Sequence, residues 1–207
     1  MEATVWPVSR RAAPSDPLMG LTAFLPPAGV NCVESRGGPM EFKADEMVVH
    51  PRYGIGCVVR LEQRQFGANN AQEYYEISIP SGTIWVPAGD SGHGLRRVTS
   101  RTDLHRYRKL LRSQAVPLAS DSKQRKTDLA ERMKQSTFES RCEVLRDLCA
   151  QRSIKPLDES SNALLRKVRE QLCAEWAAAE GLSPEDAAGE VDALLLEGRG
   201  LHSTSAT

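Results

Sequence analysis

Apolar positions along this chain change their period once, close to residue 100. Between 41 and 99 they come in short runs rich in Val, Ile, Tyr and Trp: Val48-Val49, Ile55 to Leu61, Tyr74 to Ile79, Thr83 to Val86 and Arg96 to Val98. Such residues fit a pleated, half-buried surface. The gaps between the runs hold turn residues, notably Gly54, Gly67-Ala68-Asn69-Asn70, Pro80-Ser81-Gly82 and Gly89-Asp90-Ser91-Gly92. Gly and Asn supply the positive-φ positions that tight turns need. The spacing predicts five short strands closing into a small barrel.

Beyond 100 the period becomes helical. Residues 102–114 set Leu104, Tyr107, Leu110 and Leu111 on one side, and Pro117 stops that helix. Residues 123–135 place Leu129 and Met133 four apart. Ser136 followed by Glu139 reads as a capping box opening a helix with Phe138, Cys142, Leu145 and Leu148/Cys149 on its stripe. After Pro156, Asp158 is placed to cap a helix carrying Leu165, Val168, Leu172 and Trp176, which Gly181 ends. Ser183-Pro184-Glu185-Asp186 starts a last helix with Val191, Leu194 and Leu195. The expected fold class is α+β in two domains. A β module spans 41–100, a connecting helix and linker 101–117, and a helical bundle 118–197.

The flanks lack periodicity. Residues 1–40 hold six prolines and read as a disordered extension, as do 198–207 as a tail. Met40-Glu41-Phe42-Lys43 also looks like a start, so residues 1–39 are either a native extension or untranslated sequence. N-terminal mass analysis of the protein from its own cell separates the two.

Composition adds a class. Hydrophobic residues make up 40% and charged residues 26%, as in water-soluble globular chains. No apolar run nears the ~20 residues that span a bilayer, and the N-terminus lacks a secretory pattern. Five cysteines at irregular spacing fit reduced thiols rather than a disulfide framework. A cytoplasmic protein is expected.

Charge is zero overall but uneven. Residues 1–100 carry 9 Lys+Arg against 10 Asp+Glu, 101–172 carry 17 against 10, and 173–207 carry 1 against 7. The middle block, at +7, has the footprint that attracts a phosphate backbone, although a solvated helical surface has the same composition.

Catalytic signals are missing. The sequence has no phosphate-binding loop, dinucleotide fingerprint or nucleophile elbow. Its four histidines are scattered, with no cysteine pair at zinc-ligand spacing. Cys142 and Cys149 share one helical face and read as core packing. Tyr53, Tyr74, Tyr75 and Trp85 raise a cationic cage as an option. Strand alternation puts Tyr74 and Tyr75 on opposite faces, so core plus partner surface is the better reading. No enzyme, cofactor or metal is expected.

The order of several segments carries a resemblance. Phe42-Lys43-Ala44-Asp45-Glu46-Met47-Val48-Val49-His50-Pro51-Arg52-Tyr53-Gly54-Ile55-Gly56 is followed by Glu62, Glu73-Tyr74-Tyr75, Thr83-Ile84-Trp85-Val86-Pro87 and Gly94-Leu95-Arg96. Then come Val144-Leu145-Arg146-Asp147-Leu148 and the set Leu164, Leu165, Val168 and Leu172. Over 42–197 the chain resembles the CarD/CdnL family of bacterial transcription regulators. The resemblance implies a Tudor-like barrel that binds the RNA polymerase β subunit, related to the polymerase-interacting domain of the transcription-repair coupling factor. It assigns that contact to Arg64, Trp85 and Pro87. It also implies a helical module on promoter DNA at the upstream edge of the bubble, stabilising the open complex from a nucleoid-associated location. Here Lys123, Arg125, Lys126 and Arg146 are the candidate DNA contacts.

Two positions depart from the family. Ala44 stands where a Gly is usual. Ser122 stands where many members carry a Trp wedged into the minor groove, and Ser cannot unstack base steps. The alternative is an adaptor that binds polymerase and recruits a protein, without touching DNA.

Overall fold

The computed structural model describes residues 42–65, 71–89 and 94–203. The proposed extension 1–40 lies outside these residues, as do 204–207 at the tail. The β module contains β1 (Met47–His50), β2 (Gly54–Arg64), β3 (Gln72–Ile79), β4 (Gly82–Pro87) and β5 (Arg96–Arg97). All pairings are antiparallel, in the order β4-β3-β2-β1-β5. The expected closure into a barrel is absent from the described residues. With two residues, β5 pairs only with β1, and too little ladder remains to reach β4.

One face of this sheet buries Val48, Val58, Ile77, Ile79 and Val86, joined by Phe42, Tyr75 and Leu95. Phe42 meets Tyr75 edge-on at 5.5 Å, and its backbone N–H donates to the Tyr75 hydroxyl at 3.2 Å. Gly56 allows the strands to close: a Cβ there would stand 2.7 Å from Ile77 Cγ2. The ladder skips between Val58 and Arg60, where Val59 bulges. Val58 pairs with buried Ile77, but Arg60 pairs with Glu76. The extra residue therefore reverses which alternate positions of β2 face inward. Ala44 needs no glycine, because the left-handed position of this loop falls on Asp45, with φ 65°. Asp tolerates that conformation.

The helices are α1 (Arg101–Arg112), α2 (Ser122–Lys134), α3 (Phe138–Ile154), α4 (Glu159–Glu180) and α5 (Pro184–Ser203). The side chains of Ser100, Asp121, Thr137 and Asp158 accept the N–H three residues on, each at a helix start. Ser183 does the same for Asp186 at 3.1 Å. Gly181 takes φ 74° and closes α4 as expected. The cap of α3 is Thr137 and not Ser136. Ser136 sits at φ 52°, outside the extended conformation of an N-cap, and Thr137 takes that role with φ −80°, ψ 156°.

α1, the expected connecting helix, packs into the bundle. Its Leu104, Tyr107 and Leu111 join Leu129, Phe138, Leu145, Leu148, Leu172, Trp176, Val191 and Leu194 in one core. α5 also runs past 197, and Gly198 packs against the backbone of Arg112. No described helix is long and apolar enough to cross a membrane.

Candidate functional site

The ladder register sorts the β-module candidates onto one face. Arg60 pairs with Glu76 and Glu76 with Trp85; Glu62 pairs with Tyr74 and Tyr74 with Pro87; Arg64 pairs with Gln72. Directly paired residues share a face. Arg64, Trp85 and Pro87 thus lie together opposite the sheet core, which follows from the bulge at Val59. The Arg64 guanidinium carbon lies 3.5 Å from the Trp85 ring centroid. Glu62 holds the same guanidinium at 3.3 Å, and Arg60 reaches Glu76 at 2.7 Å. A planar cation on an aromatic face is a stiff, amphipathic surface. β4, which carries Trp85, is an end strand of the sheet.

The aromatic cage does not assemble. Tyr75 is in the core, and Tyr74 is on the opposite face. Tyr53 instead packs on His50, 4.9 Å between ring centroids, while the Trp85 face is taken by Arg64.

In the helical module the structure divides the four DNA candidates. Lys123 and Lys126 are exposed on the first turns of α2, with no ion pair among the described residues. Arg125, next to them, is turned inward with its side chain 13% exposed. It donates to the carbonyls of Ala119 and Ser120 at 2.9 and 3.2 Å and to Asp158 at 2.5 Å. Arg146 is 7% exposed, donating to Asp147 at 2.9 Å and to the Ser113 hydroxyl at 2.6 Å. Asp147 also accepts from Arg132 at 2.8 Å and from the Val116 N–H at 2.9 Å. Arg125 and Arg146 thus have their guanidinium groups engaged in holding helices and loops together. Both are arginines, whose fork can satisfy several buried acceptors at once.

Asp158 is the joint between α2 and α4. Hydrogen bonds from the Ser160 hydroxyl, then from Arg125, then from the Ser161 N–H hold its carboxyl well below the usual carboxylate range. Ser122 Oγ lies 3.4 Å from the same carboxylate. Exposed Lys155 caps α3 three residues before it and was not singled out from sequence, where it reads as one charge in a basic block.

The charge asymmetry is largely folded away. Acids of the last segment pair with the basic block: Glu180 with Arg101 and Arg108, Glu190 with Arg108, Glu197 with Arg112, and Asp192 with Arg169. Among the described residues no group of three or more His, Cys, Asp or Glu could hold a metal. Burial pushes the Cys142 thiol well up and that of Cys173 to about 11, so both are core thiols.

Two family models match in tandem. The CarD-like/TRCF RID domain covers 42–99, and the CarD C-terminal domain covers 107–192. The chain belongs to the CarD family. A curated relative, "Putative transcription factor YdeB" of Bacillus subtilis (strain 168), is 25% identical over 145 residues, 69% of this chain and 94% of the relative. Membership makes this a transcription-related, RNA polymerase-interacting protein. The boundary between the two matches coincides with the change from sheet to helices.

Proposed function

We propose that this CarD-family chain docks on the β subunit of bacterial RNA polymerase through the Arg64–Trp85–Pro87 face. From there it lays Lys123 and Lys126 against promoter DNA and modulates the lifetime of the open complex. The observation that carries the reading is the Arg64–Trp85 stack at 3.5 Å, on a half-exposed part of the sheet that includes the end strand β4. Trp and Arg are the residues that most often dominate interface energy. An end strand also offers unpaired backbone groups to a partner strand.

The two lysines suit phosphate contact without base reading, since they are exposed, mobile point charges. Ser122 supplies no apolar wedge, so contact stays on the backbone and gains its strength from tethering to polymerase. Lys155 joins this set.

The test is retention of the purified chain on polymerase β-subunit fragments. Arg64→Glu and Trp85→Ala should each abolish retention while unfolding stays cooperative; wild-type retention by both variants overturns the assignment.

The adaptor reading is favoured by one observation. Most arginines of the basic block are already paired with carboxylates, leaving a modest free positive surface. Binding of the full chain to forked DNA at low salt separates the two readings.

A further inference from the structure

Among the described residues the sheet and the helices have separate hydrophobic cores, and buried Val49 belongs to neither. The hydrogen bonds between them centre on Glu175. This carboxylate on α4 is completely buried, yet its partners come from three places. Arg96 of β5 grips it with two bonds, 2.6 and 2.7 Å. Thr99, in the connection to α1, donates its N–H at 3.1 Å and its hydroxyl at 2.8 Å. Arg141 of α3, itself 1% exposed, donates at 3.1 Å. Arg96 also donates to the Ser136 carbonyl at the α2–α3 junction, at 3.0 Å. A weaker bond, Gln171 to the Arg52 carbonyl at 3.3 Å, lies one turn away on α4.

Apolar contact is non-directional, whereas a bidentate guanidinium–carboxylate pair fixes an angle. Arg96 pairs with Val49, Val49 with Ile55, and Met47 with Cys57, which in turn pairs with Ser78. By strand parity these residues share the sheet face that carries Trp85. The β5 end of that face is thus gripped by α4, and the β4 end carries the Arg64–Trp85 stack.

We propose that Glu175 is a positioning residue: by clasping Arg96, Thr99 and Arg141 it fixes the angle between the partner-binding sheet and the helices that bear Lys123 and Lys126. This rests on the function proposed above. The fixed angle makes polymerase docking and DNA contact one bivalent event, because effective concentration collapses when the second site is not held in reach.

Arg96→Gln in the full chain is the discriminating variant. It leaves the Glu175–Arg141 pair inside the helical module, so the helices keep their buried charge compensated. Glu175→Gln strands Arg141 and serves as the harsher second variant. Residual dipolar couplings read the angle directly. Wild type should show one alignment tensor for sheet and helices, and Arg96→Gln two. Polymerase affinity should stay within about twofold, since Arg64 and Trp85 are distant and independent. The promoter-complex lifetime should fall by about tenfold as bivalency is lost. A shared tensor in both variants, or an unaltered lifetime despite a loosened joint, overturns the proposal. Should wild type itself leave polymerase–promoter complexes unchanged, the functional reading fails instead, and the tensors alone decide whether Glu175 sets the angle.

Discussion

Away from the joint at Arg96, the two modules use their cations in opposite ways. On the sheet, Arg64 is held at the surface by an aromatic ring and a half-exposed carboxylate, so its charge stays partly in solvent. In the bundle, Arg125, Arg132, Arg141 and Arg146 are drawn inward by Asp158, Asp147 and Glu175, and lysines are left outside. A sheet one layer thick displays its outward side chains, while a bundle of five helices meets its own charges across short gaps. Basic residues adjacent in sequence can therefore meet unrelated environments, as inward Arg125 and exposed Lys126 do.

The largest effect that would break this comparison is on stability. Asp147→Ala removes a fully buried carboxylate that compensates Arg132 and Arg146. It should cost about 3–5 kcal/mol, the range for stranding a buried charge, and urea unfolding measures it. A loss within the noise would mean that the buried arginines are solvated and available after all. Next in size is the sheet: Trp85→Ala should weaken polymerase binding by at least about 2 kcal/mol, or roughly 30-fold, enough to lose retention on immobilised fragments, with little change in stability. Equilibrium titration with a β-subunit fragment reads it.

Smaller is the joint between α2 and α4. Asp158→Ala removes a helix cap and should cost about 1–2 kcal/mol at neutral pH. Because the folded carboxyl is held below its unfolded value, its contribution is complete above the unfolded value of about 4 and fades as acid protonates it. The stability gap between wild type and variant should hold from pH 7 to 5 and narrow below about pH 4. A gap constant to pH 2 would sever the cap from its charge.

The smallest stability effect belongs to the free lysines. Lys123→Glu with Lys126→Glu should change stability by less than about 0.5 kcal/mol. The same pair should flatten the salt dependence of promoter-complex binding by about two in log–log slope. The same slope in the double variant would favour the adaptor.

The sequence by itself determined the switch of period near 100, five strand-forming runs, and helix ends marked by Asp158, Gly181 and Ser183-Pro184. These signals are local: alternation, caps and turn residues act within a few positions of where they are read. It also carried the family, through motifs in a fixed order. Only the tertiary structure decided the rest. The bulge at Val59 shifts parity within one strand, so no regular alternation reveals that Arg64 and Trp85 share a face. The Thr137 cap was missed because Ser136 one position earlier has the same capping chemistry. The fates of Arg125 and Arg146 hinge on carboxylates 33 and one residue away, and whether a guanidinium turns inward depends on how helices pack around it. Glu175 looked like one more acid in an acidic stretch, 79 residues from Arg96. Burial and partners across such separations belong to the folded chain, since they exist only once the two modules have met.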